Sequence, residues 1–543
     1  MATAETVAWV RPPEPIRGLD HLGVQAPCIA LYGQLLPGIT NVTDRARYYS
    51  FHPWLLWAFE RRYKDHSLDE FRRVLRRAEC LFALIAIRHA RVLDDGDDGR
   101  HGRAMVGRDK LLRIEERSFA LGDYATLEGP NRYFKNKLGG LGQYYFGPLR
   151  DLRVLDYHQG AGYPGYDAER GRKLAEAFAS AVPQDAFFHV LEQPQATWED
   201  LDTLAAFCPC GLRDNAAEHE LLLDLFLARA ETFQKDGGTT RRASLGLMLD
   251  LASRAARDPQ YAFEGLLRGG AYSGALVDGS VWQVAKPFER VLRGWGTYQR
   301  NELLSIAVQG LFAAVLRAIE RDEAQKIHEA SDAADIAVRL LSSLGADLRL
   351  SLDALVTRVR GELPALANWQ HVDHELQRGW RLQNLRLDDD TAIEKIALES
   401  IAILLVLLAR GVDEYPYADF ELDPEYFDPR EVHLLSLRHA LRSDWSGMTV
   451  EAWIRWISVQ WGVARHLRVA LRKLRGERRD TFRIRPLEGE LRVVEAPVPV
   501  FTNPRVSRAQ QILRDLGLVE YDDEEVMILT DRGRSELEAC RAG

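Results

Sequence analysis

Two cysteines separated by one residue form the clearest metal-ligating pattern in this 543-residue sequence. Cys208 and Cys210 flank Pro209 and could supply two thiolates to one ion. A structural zinc site normally has a second pair of ligands, such as another Cys-x-x-Cys or spaced histidines. No second pair stands at a suitable spacing, and His219 is a lone candidate nine residues beyond Cys210. The pattern therefore predicts no bound metal.

Other combinations of reactive residue types are incomplete. The segment 94–99 has glycine at the third position of a calcium-binding loop, and no glutamate follows at the twelfth. The glycine-rich segment 139–142 is not a dinucleotide fingerprint, and no Walker-type phosphate-binding loop occurs. His52, His371 and His374 have no recognisable nucleophile partner. We therefore expect no cofactor and no catalytic residues.

The acidic segment 413–431 leaves one enzymatic alternative open. It contains eight acidic residues against one arginine. Four of them could gather a divalent metal, although an exposed acidic loop is the simpler interpretation: Asp413, Glu414, Asp419 and Glu421. We predict that the protein is not an enzyme, and an effector enzyme with an unrecognised site remains an alternative.

One phrase of the sequence occurs twice, at residues 149–157 (LRDLRVLDY) and 513–521 (LRDLGLVEY). An Arg-Gly-Arg triplet follows each copy, at residues 170–172 and 532–534. Each copy predicts a helix that ends in a short strand, a polar turn, a second extended segment and a new helix. This order is typical of the second half of a winged helix-turn-helix. The expected fold is mainly α, a multidomain helical protein with an internal and a C-terminal winged helix-turn-helix-like module.

Such modules could contact DNA with the helix that precedes the wing, and the wing itself would touch phosphates. In the C-terminal copy this helix offers Arg505, Arg508 and Arg514, but residues 522–525 at the wing tip are acidic and would repel phosphate. In the internal copy we expect a helix that carries Arg132, Lys135 and Lys137. Its wing, residues 158–166, is neutral and rich in glycine. The alternative is a pair of modules that dock proteins or mediate dimerisation.

The segment 465–485 is the strongest electrostatic feature, with nine basic residues against two acids. Its first four arginines recur at helical spacing, so a basic strip could neutralise several phosphates. The alternative is that the strip pairs within the fold with the acidic segment 413–431, and both interpretations stay open. The basic residues are Arg465, Arg468, Arg472, Lys473, Arg475, Arg478, Arg479, Arg483 and Arg485.

Arg45 and Arg47 alternate with aromatic residues in the segment 43–54. Guanidinium groups suit phosphate or carboxylate, and aromatic rings can stack on bases. Phe51, Trp54 and Leu55 follow directly, so we favour a hydrophobic core that holds the two arginines in buried pairs. A phosphate-binding role for the two arginines is the alternative.

Composition narrows the class of protein. A net charge of −9 argues against a chain that coats nucleic acid along its whole surface, but it permits a local basic patch. Five cysteines are too few and too scattered for a disulfide framework, which indicates a reducing cytoplasm. The longest apolar run, residues 401–409, falls short of the ~20 residues that span a bilayer. It predicts a buried core helix, and we expect no membrane contact.

The order of the patterns suggests five segments along the chain. Ser67 and Glu70 predict the start of a helix that extends to about Arg91, and residues 196–410 are almost wholly helical in pattern. The expected segments are an N-terminal helical region (1–104), the internal winged-helix-like module (105–182), a helical middle domain (183–460), a basic helix with its connector (461–500), and the C-terminal winged helix (501–543).

The segment 35–54 resembles the N-terminal signature of a family of bacterial proteins from anti-phage defence islands. The likeness lies in Leu-Pro-Gly at 36–38 and in Thr-x-Arg-Ala-Arg-Tyr-Tyr-x-Phe-x-Pro-Trp at 43–54. Genes of that family lie beside those of helicases, ATPases and phospholipase-D-like nucleases. The resemblance implies a multi-gene defence context and a partner enzyme, and it carries over no catalytic residues.

These patterns together predict a non-catalytic, DNA-associated subunit of a bacterial anti-phage or mobile-element defence system. It would bind double-stranded DNA through the segment 465–485 and the two modules, and it would recruit a partner ATPase, helicase or nuclease. A protein-only scaffold or dimerisation subunit is the main alternative, and assembly into a homo-oligomer stays open.

Overall fold

The computed structural model describes most of the chain and contains no ligand. The described residues are 20–93, 99–114, 116–158, 160–235, 237–254, 258, 260–321, 326–343, 345, 347–385, 390–411, 431–477, 480–522 and 524–543.

The protein is mainly α-helical, as the sequence predicts. Ser67 begins one of the longest helices as expected, because its hydroxyl accepts a hydrogen bond from the backbone N–H of Glu70. In chain order the α-helices of eight or more residues are Ala26–Leu35, Tyr48–Arg62, Leu68–Val92, Arg170–Ala181, Gln184–Glu192, Ala216–Leu227, Gly238–Ser253, Phe263–Ser273, Lys286–Arg321, Ala330–Ser343, Leu352–Glu362, Glu375–Asn384, Asp390–Arg410, Leu434–Arg442, Val450–Ile457, Ala464–Glu477, Val506–Asp515 and Asp531–Ala542.

Shorter helical turns connect these elements. The short α-helices are Arg108–Leu111, Leu121–Ala125, Phe146–Asp151, Trp198–Asp202 and Glu231–Gln234. The 3₁₀ turns are Ala205–Phe207 and Pro209–Asp214, and the π turns are Leu141–Tyr145 and Ser458–Val463.

Each sheet among the described residues contains two antiparallel strands. The pairs are Ser118–Phe119 with Ala196–Thr197, Leu155–Tyr157 with Pro164–Tyr166, Ile484–Leu487 with Glu490–Val493, and Val519–Tyr521 with Met527–Leu529.

The chain forms two compact units, and each is assembled from separate stretches of sequence. Of the described residues, those within 20–31, 268–283 and 293–502 form the first unit, and those within 32–267, 284–292 and 503–543 form the second. This division differs from the five sequential segments expected above. The C-terminal residues 503–543 belong to the same compact unit as residues 32–267.

The second unit has an aromatic core around the helix Tyr48–Arg62. The ring of Phe51 stacks on that of Phe82 at 4.1 Å between centroids, and Trp54 lies 5.0 Å from Phe178. The C-terminal helix Asp531–Ala542 packs on the helix Gly238–Ser253, where Arg541 pairs with the buried Asp250 at 2.6 Å. Apolar burial and this ion pair explain why the chain terminus belongs to this unit.

Long apolar helices form the core of the first unit. Residues 401–409 lie in the helix Asp390–Arg410 and are almost entirely buried, as the sequence predicts. Among the described residues, the helix Lys286–Arg321 is long and apolar enough to cross a membrane, but 89% of its most apolar stretch is buried within the protein. Such burial is typical of a core helix in a soluble protein.

Candidate metal centre and basic surface

The two copies of the repeated phrase have the same local backbone geometry. We name Phe146–Ala181 the first module and Val506–Ala542 the second module; each contains a helix, a two-stranded hairpin and a second helix. In both, the second residue after the first helix has a positive φ, Arg153 at 52° and Gly517 at 64°. The next N–H then returns to the helix, from Val154 to the Leu149 carbonyl and from Leu518 to the Leu513 carbonyl. The repeat in sequence is therefore a repeat in structure.

The glycine of each Arg-Gly-Arg triplet marks a close approach between helix and hairpin. A Cβ atom at Gly171 would lie 2.2 Å from the carbonyl oxygen of Val154, and one at Gly533 would lie 1.9 Å from that of Leu518. The two carbonyls occupy equivalent places, because each also accepts a backbone hydrogen bond from the residue that follows the second strand. Only glycine fits both positions without displacing backbone.

The helix predicted to carry Arg132, Lys135 and Lys137 in the internal copy does not form. Residues 126–138 form turns, bends and irregular backbone, and helical structure starts at Gly139, just before the π turn Leu141–Tyr145. Arg132 donates to the Leu127 carbonyl at 3.2 Å, while Lys135 and Lys137 are exposed. Gly129 and Gly139 stand before and after these residues with φ of 103° and 54°, a backbone conformation that does not continue a right-handed helix.

The arginines of the C-terminal copy lie within a groove of the second unit. Arg508 pairs with Asp44 at 2.8 Å and donates to the Asn41 carbonyl. Arg505 donates to the Ile39 carbonyl at 2.6 Å, and Arg514 lies over the ring of Tyr521 at 5.1 Å. Arg508 and Arg514 line a cavity of about 360 Å³. These arginines therefore make contacts within the fold.

Some cationic side chains of the basic helix, Ala464–Glu477, make contacts within the fold, and others are exposed to solvent. Arg465 is nearly buried and pairs with Glu431 at 2.6 Å, and Lys473 donates to the Asp20 carbonyl. Arg468, Arg472 and Arg475 are exposed along one side of the helix. Arg472 also lies 3.5 Å from Glu431. The exposed arginines recur at spacings of four and three residues, which places them on one helical face.

The remaining members of the basic segment contribute little exposed charge. Arg483 is buried and pairs with Glu495 at 2.9 Å, and Arg485 pairs with Asp480 at 2.9 Å. Arg478 and Arg479 lie outside the described residues, as does the acidic segment up to residue 430 with its four candidate metal ligands. Glu431, the last acid of that segment, supplies the pairing with the basic helix that the sequence allowed as an alternative.

The buried face of the basic helix carries a neutral histidine. His466 donates through Nδ1 to the His21 carbonyl at 2.9 Å, and its Nε2 accepts the N–H of Arg483 at 2.8 Å. Burial lowers the pKa of His466 to about 3; the hydrogen bond to the His21 backbone opposes this shift, and the charges of the nearby His21, Arg483 and Lys473 add to it. The histidine is therefore uncharged in the folded protein at neutral pH.

Acid should weaken the fold through His466. The pKa of His466 in the folded protein lies below the value of about 6.5 in an unfolded chain. The unfolded chain therefore binds a proton first, and the free energy of unfolding falls as the pH drops from ~6.5 toward ~3. The expected loss is about 1.4 kcal/mol per pH unit from this group. Urea midpoints at neutral and acidic pH should therefore diverge more in the wild type than in His466→Gln. The exposed His158→Gln is the control and should keep the wild-type slope; equal slopes in all three proteins would contradict the prediction.

Arg45 and Arg47 are held in buried ion pairs, the interpretation that the sequence favours over phosphate binding. Arg45 donates to Asp515 at 3.0 Å, and Arg47 donates to Glu218 at 3.1 and 3.3 Å. Their other donors reach backbone carbonyls in two segments, 100–103 and 206–208. Both side chains are inaccessible to solvent, so neither is placed to bind an external phosphate.

Four potential metal ligands lie together next to these two segments. Cys208 and Cys210 meet His89, from the last turn of the helix Leu68–Val92, and His101. One ligand atom from each of the four lies within 4.8 Å of the other three. The Sγ of Cys208 is 3.4 Å from Nδ1 of His101, and the Sγ of Cys210 is 3.4 Å from Nδ1 of His89.

No local spacing in the sequence indicates this group, because the two histidines stand more than 100 residues before the cysteines. His219, the candidate considered from the sequence, instead contacts the Leu516 carbonyl at 2.8 Å. The signal in the sequence was the pair His89 and His101 itself, but fourteen histidines offer many such pairs.

The electrostatics of the group favour a thiolate. A hydrogen bond with Cys208, followed by the nearby His89 and His101, lowers the pKa of the Cys210 thiol to about 5. Burial raises the pKa of the Cys208 thiol well above its usual value.

Comparisons with known proteins return no match among protein-family models, curated proteins or solved structures.

Proposed function

We propose that this protein is a non-catalytic, DNA-associated subunit of a bacterial anti-phage or mobile-element defence system. In this role it bridges double-stranded DNA to a partner ATPase, helicase or nuclease. The observation that supports DNA contact most directly is the row of exposed arginines on the basic helix, Arg468, Arg472 and Arg475. The defence context rests on the resemblance of residues 35–54.

The exposed row suits a phosphate backbone better than a base edge. Three guanidinium groups on one face of a helix can each donate to phosphate oxygens, and their binding releases counterions from the DNA. The helix is fixed in the core by buried residues that include His466, Val469 and Ala470. A rigid support of this kind holds the three charges in place without a loss of backbone entropy on binding.

The two modules are secondary contributors under this proposal. Their hairpins correspond to the wings of a winged helix-turn-helix, which commonly touch DNA backbone or dock proteins. Acidic residues Asp522, Glu524 and Glu525 lie in the turn of the second hairpin, and the arginines before it make contacts within the fold. We therefore assign the modules to positioning or to protein contact, and DNA binding to the basic helix.

A matched pair of variants tests the assignment. Arg468→Glu, Arg472→Glu and Arg475→Glu together reverse the exposed row, while Arg465, Lys473 and Arg483 are left intact because they anchor the fold. The control reverses three other exposed arginines of the same unit, Arg349, Arg358 and Arg442, and changes the net charge by the same amount. The readout is fluorescence anisotropy of labelled duplex DNA across a salt titration.

We expect the helix variant to lose more than about tenfold in affinity and to reduce the slope of log K against log salt by about three, since each phosphate contact contributes about 0.9. The control should lose only the part that depends on net charge. Equal effects of the two variants, or no binding by the wild type at the lowest salt, would contradict DNA contact through this helix. The second outcome favours the protein-only scaffold.

A further inference from the structure

We propose that His89, His101, Cys208 and Cys210 bind one Zn²⁺ ion in a closed, tetrahedral structural site. The four side chains come from three separate stretches of the second unit: the end of the helix Leu68–Val92, the segment 99–103, and the start of the 3₁₀ turn Pro209–Asp214.

The spacing of the ligand atoms fits this geometry. Zinc bonds of about 2.3 Å to sulfur and about 2.0–2.1 Å to nitrogen imply nitrogen–sulfur edges of about 3.5 Å in a tetrahedron. The two measured nitrogen–sulfur separations are both 3.4 Å, and each histidine faces a different cysteine. The imidazole rings of His89 and His101 are nearly perpendicular, at 83°, so both can direct a nitrogen at a common point without stacking.

The chemistry of the donors selects the metal. Two sulfur and two nitrogen ligands in a tetrahedral arrangement are typical of zinc, while calcium and magnesium require oxygen ligands. Two thiolates would balance the charge of Zn²⁺, so the partly buried site would carry no net charge. The cysteine spacing of one intervening residue is shorter than in most zinc motifs, and Pro209 restricts the backbone between the two cysteines.

The surrounding backbone is held in place independently of any ion. Arg45 donates to the carbonyls of Arg100 and His101 at 2.8 and 2.7 Å, and Arg47 donates to the carbonyl of Cys208. Such contacts behind the ligands orient a metal site and raise its affinity. The Arg-Ala-Arg triplet of the sequence therefore positions the two ligand segments.

The four protein ligands fill the coordination shell and leave no position for water or substrate. A site of this kind stabilises the fold rather than catalysing a reaction. Here it would tie the segment 99–103 to the end of the helix Leu68–Val92. Through Arg45, which also pairs with Asp515, the same segment is connected to the first helix of the second module.

Metal content of the purified full-length chain tests the proposal without any variant. We expect elemental mass spectrometry to find one zinc ion per chain. Removing the zinc with a chelator should lower the melting temperature of the protein, and adding Zn²⁺ should restore it. Replacement by Co²⁺ should give the charge-transfer band of thiolate ligands and the intense visible bands of tetrahedral cobalt. Metal-free protein that neither binds Zn²⁺ nor gains stability from it would overturn the proposal and identify the group as a hydrogen-bonded cluster.

Variants separate the site from general cysteine chemistry. The double variant Cys208→Ser with Cys210→Ser should bind no zinc and show no tetrahedral cobalt spectrum. His101→Ala should lower both the zinc content and the intensity of the cobalt bands. Cys80→Ala is the control, because Cys80 is buried in the helix that carries His89 but lies outside the group of four. Zinc retained by the double cysteine variant, or lost equally from the control, would contradict the assignment.

Discussion

Replacing Arg45 with methionine is expected to destabilise the second unit by about 3–5 kcal/mol. Methionine fills a similar volume but removes a charge that pairs with the buried Asp515, whose side chain is only 3% exposed. Asp515 would keep the hydrogen bonds from the N–H of Ala46 and from Gln511, but no cation would remain against it. The carbonyls of residues 100, 101 and 103 would lose their donor as well.

The measurement is urea unfolding of the full chain, followed together with limited proteolysis between residues 93 and 104. Arg172→Met is the control, because Arg172 is exposed and pairs with Glu176 across one helical turn, so its replacement should leave the unfolding midpoint close to that of the wild type. Arg45→Lys should fall between the two, since one ammonium cannot reach the four acceptors that the planar guanidinium reaches.

The double variant Arg45→Met with Asp515→Leu should recover part of the loss, because it removes the unpaired carboxylate. A loss below about 1 kcal/mol in Arg45→Met would show that this pair does not support the fold.

Gly533→Ala is expected to cost about 3 kcal/mol, at the upper end for overpacking. The added Cβ would stand 1.9 Å from the carbonyl oxygen of Leu518, and backbone cannot rotate away as a side chain can. The same carbonyl accepts the N–H of Thr530 at 3.2 Å, so displacing it would also break the junction between hairpin and helix. Gly171→Ala should have a similar effect in the first module, where the distance is 2.2 Å.

Gly147→Ala provides the control within the first module. Gly147 lies in the helix Phe146–Asp151, has no positive φ, and has open space where a Cβ would stand. Its replacement should raise stability by about 0.4–1 kcal/mol, because alanine restricts the unfolded chain. The readout is the midpoint of thermal unfolding for each single variant. Similar midpoints for Gly533→Ala and Gly147→Ala would contradict the close packing of helix on hairpin.

The Arg-Ala-Arg triplet shows how far residue types alone could be interpreted. Two arginines next to aromatic residues were compatible with phosphate binding or with buried pairs, because the same guanidinium serves both. The partners that decide between them, Asp515 and Glu218, stand 470 and 171 residues away in the sequence. No local pattern could have supplied them.

Local chemistry, by contrast, gave the elements that depend on neighbours in the chain. The hydroxyl of Ser67 and the apolar spacing after it predicted the helix that carries His89, and the run 401–409 predicted a buried helix. The repeated phrase predicted two hairpins between helices, and the backbone repeats down to individual hydrogen bonds. The helix expected over Arg132 and Lys137 does not form, because Gly129 and Gly139 on either side of it both have a positive φ.

The sequence by itself therefore determined the helical class, the ends of several helices and the duplicated helix–hairpin–helix unit, because hydrogen bonds within a few residues control these features. The tertiary structure alone decided which charges remain exposed on the basic helix, and that the C-terminal residues join the unit formed by residues 32–267. It also brought His89 and His101 to Cys208 and Cys210. The physical reason is the same in each case: burial of apolar surface brings distant segments together, and the polar groups carried with them must find partners where the packing places them.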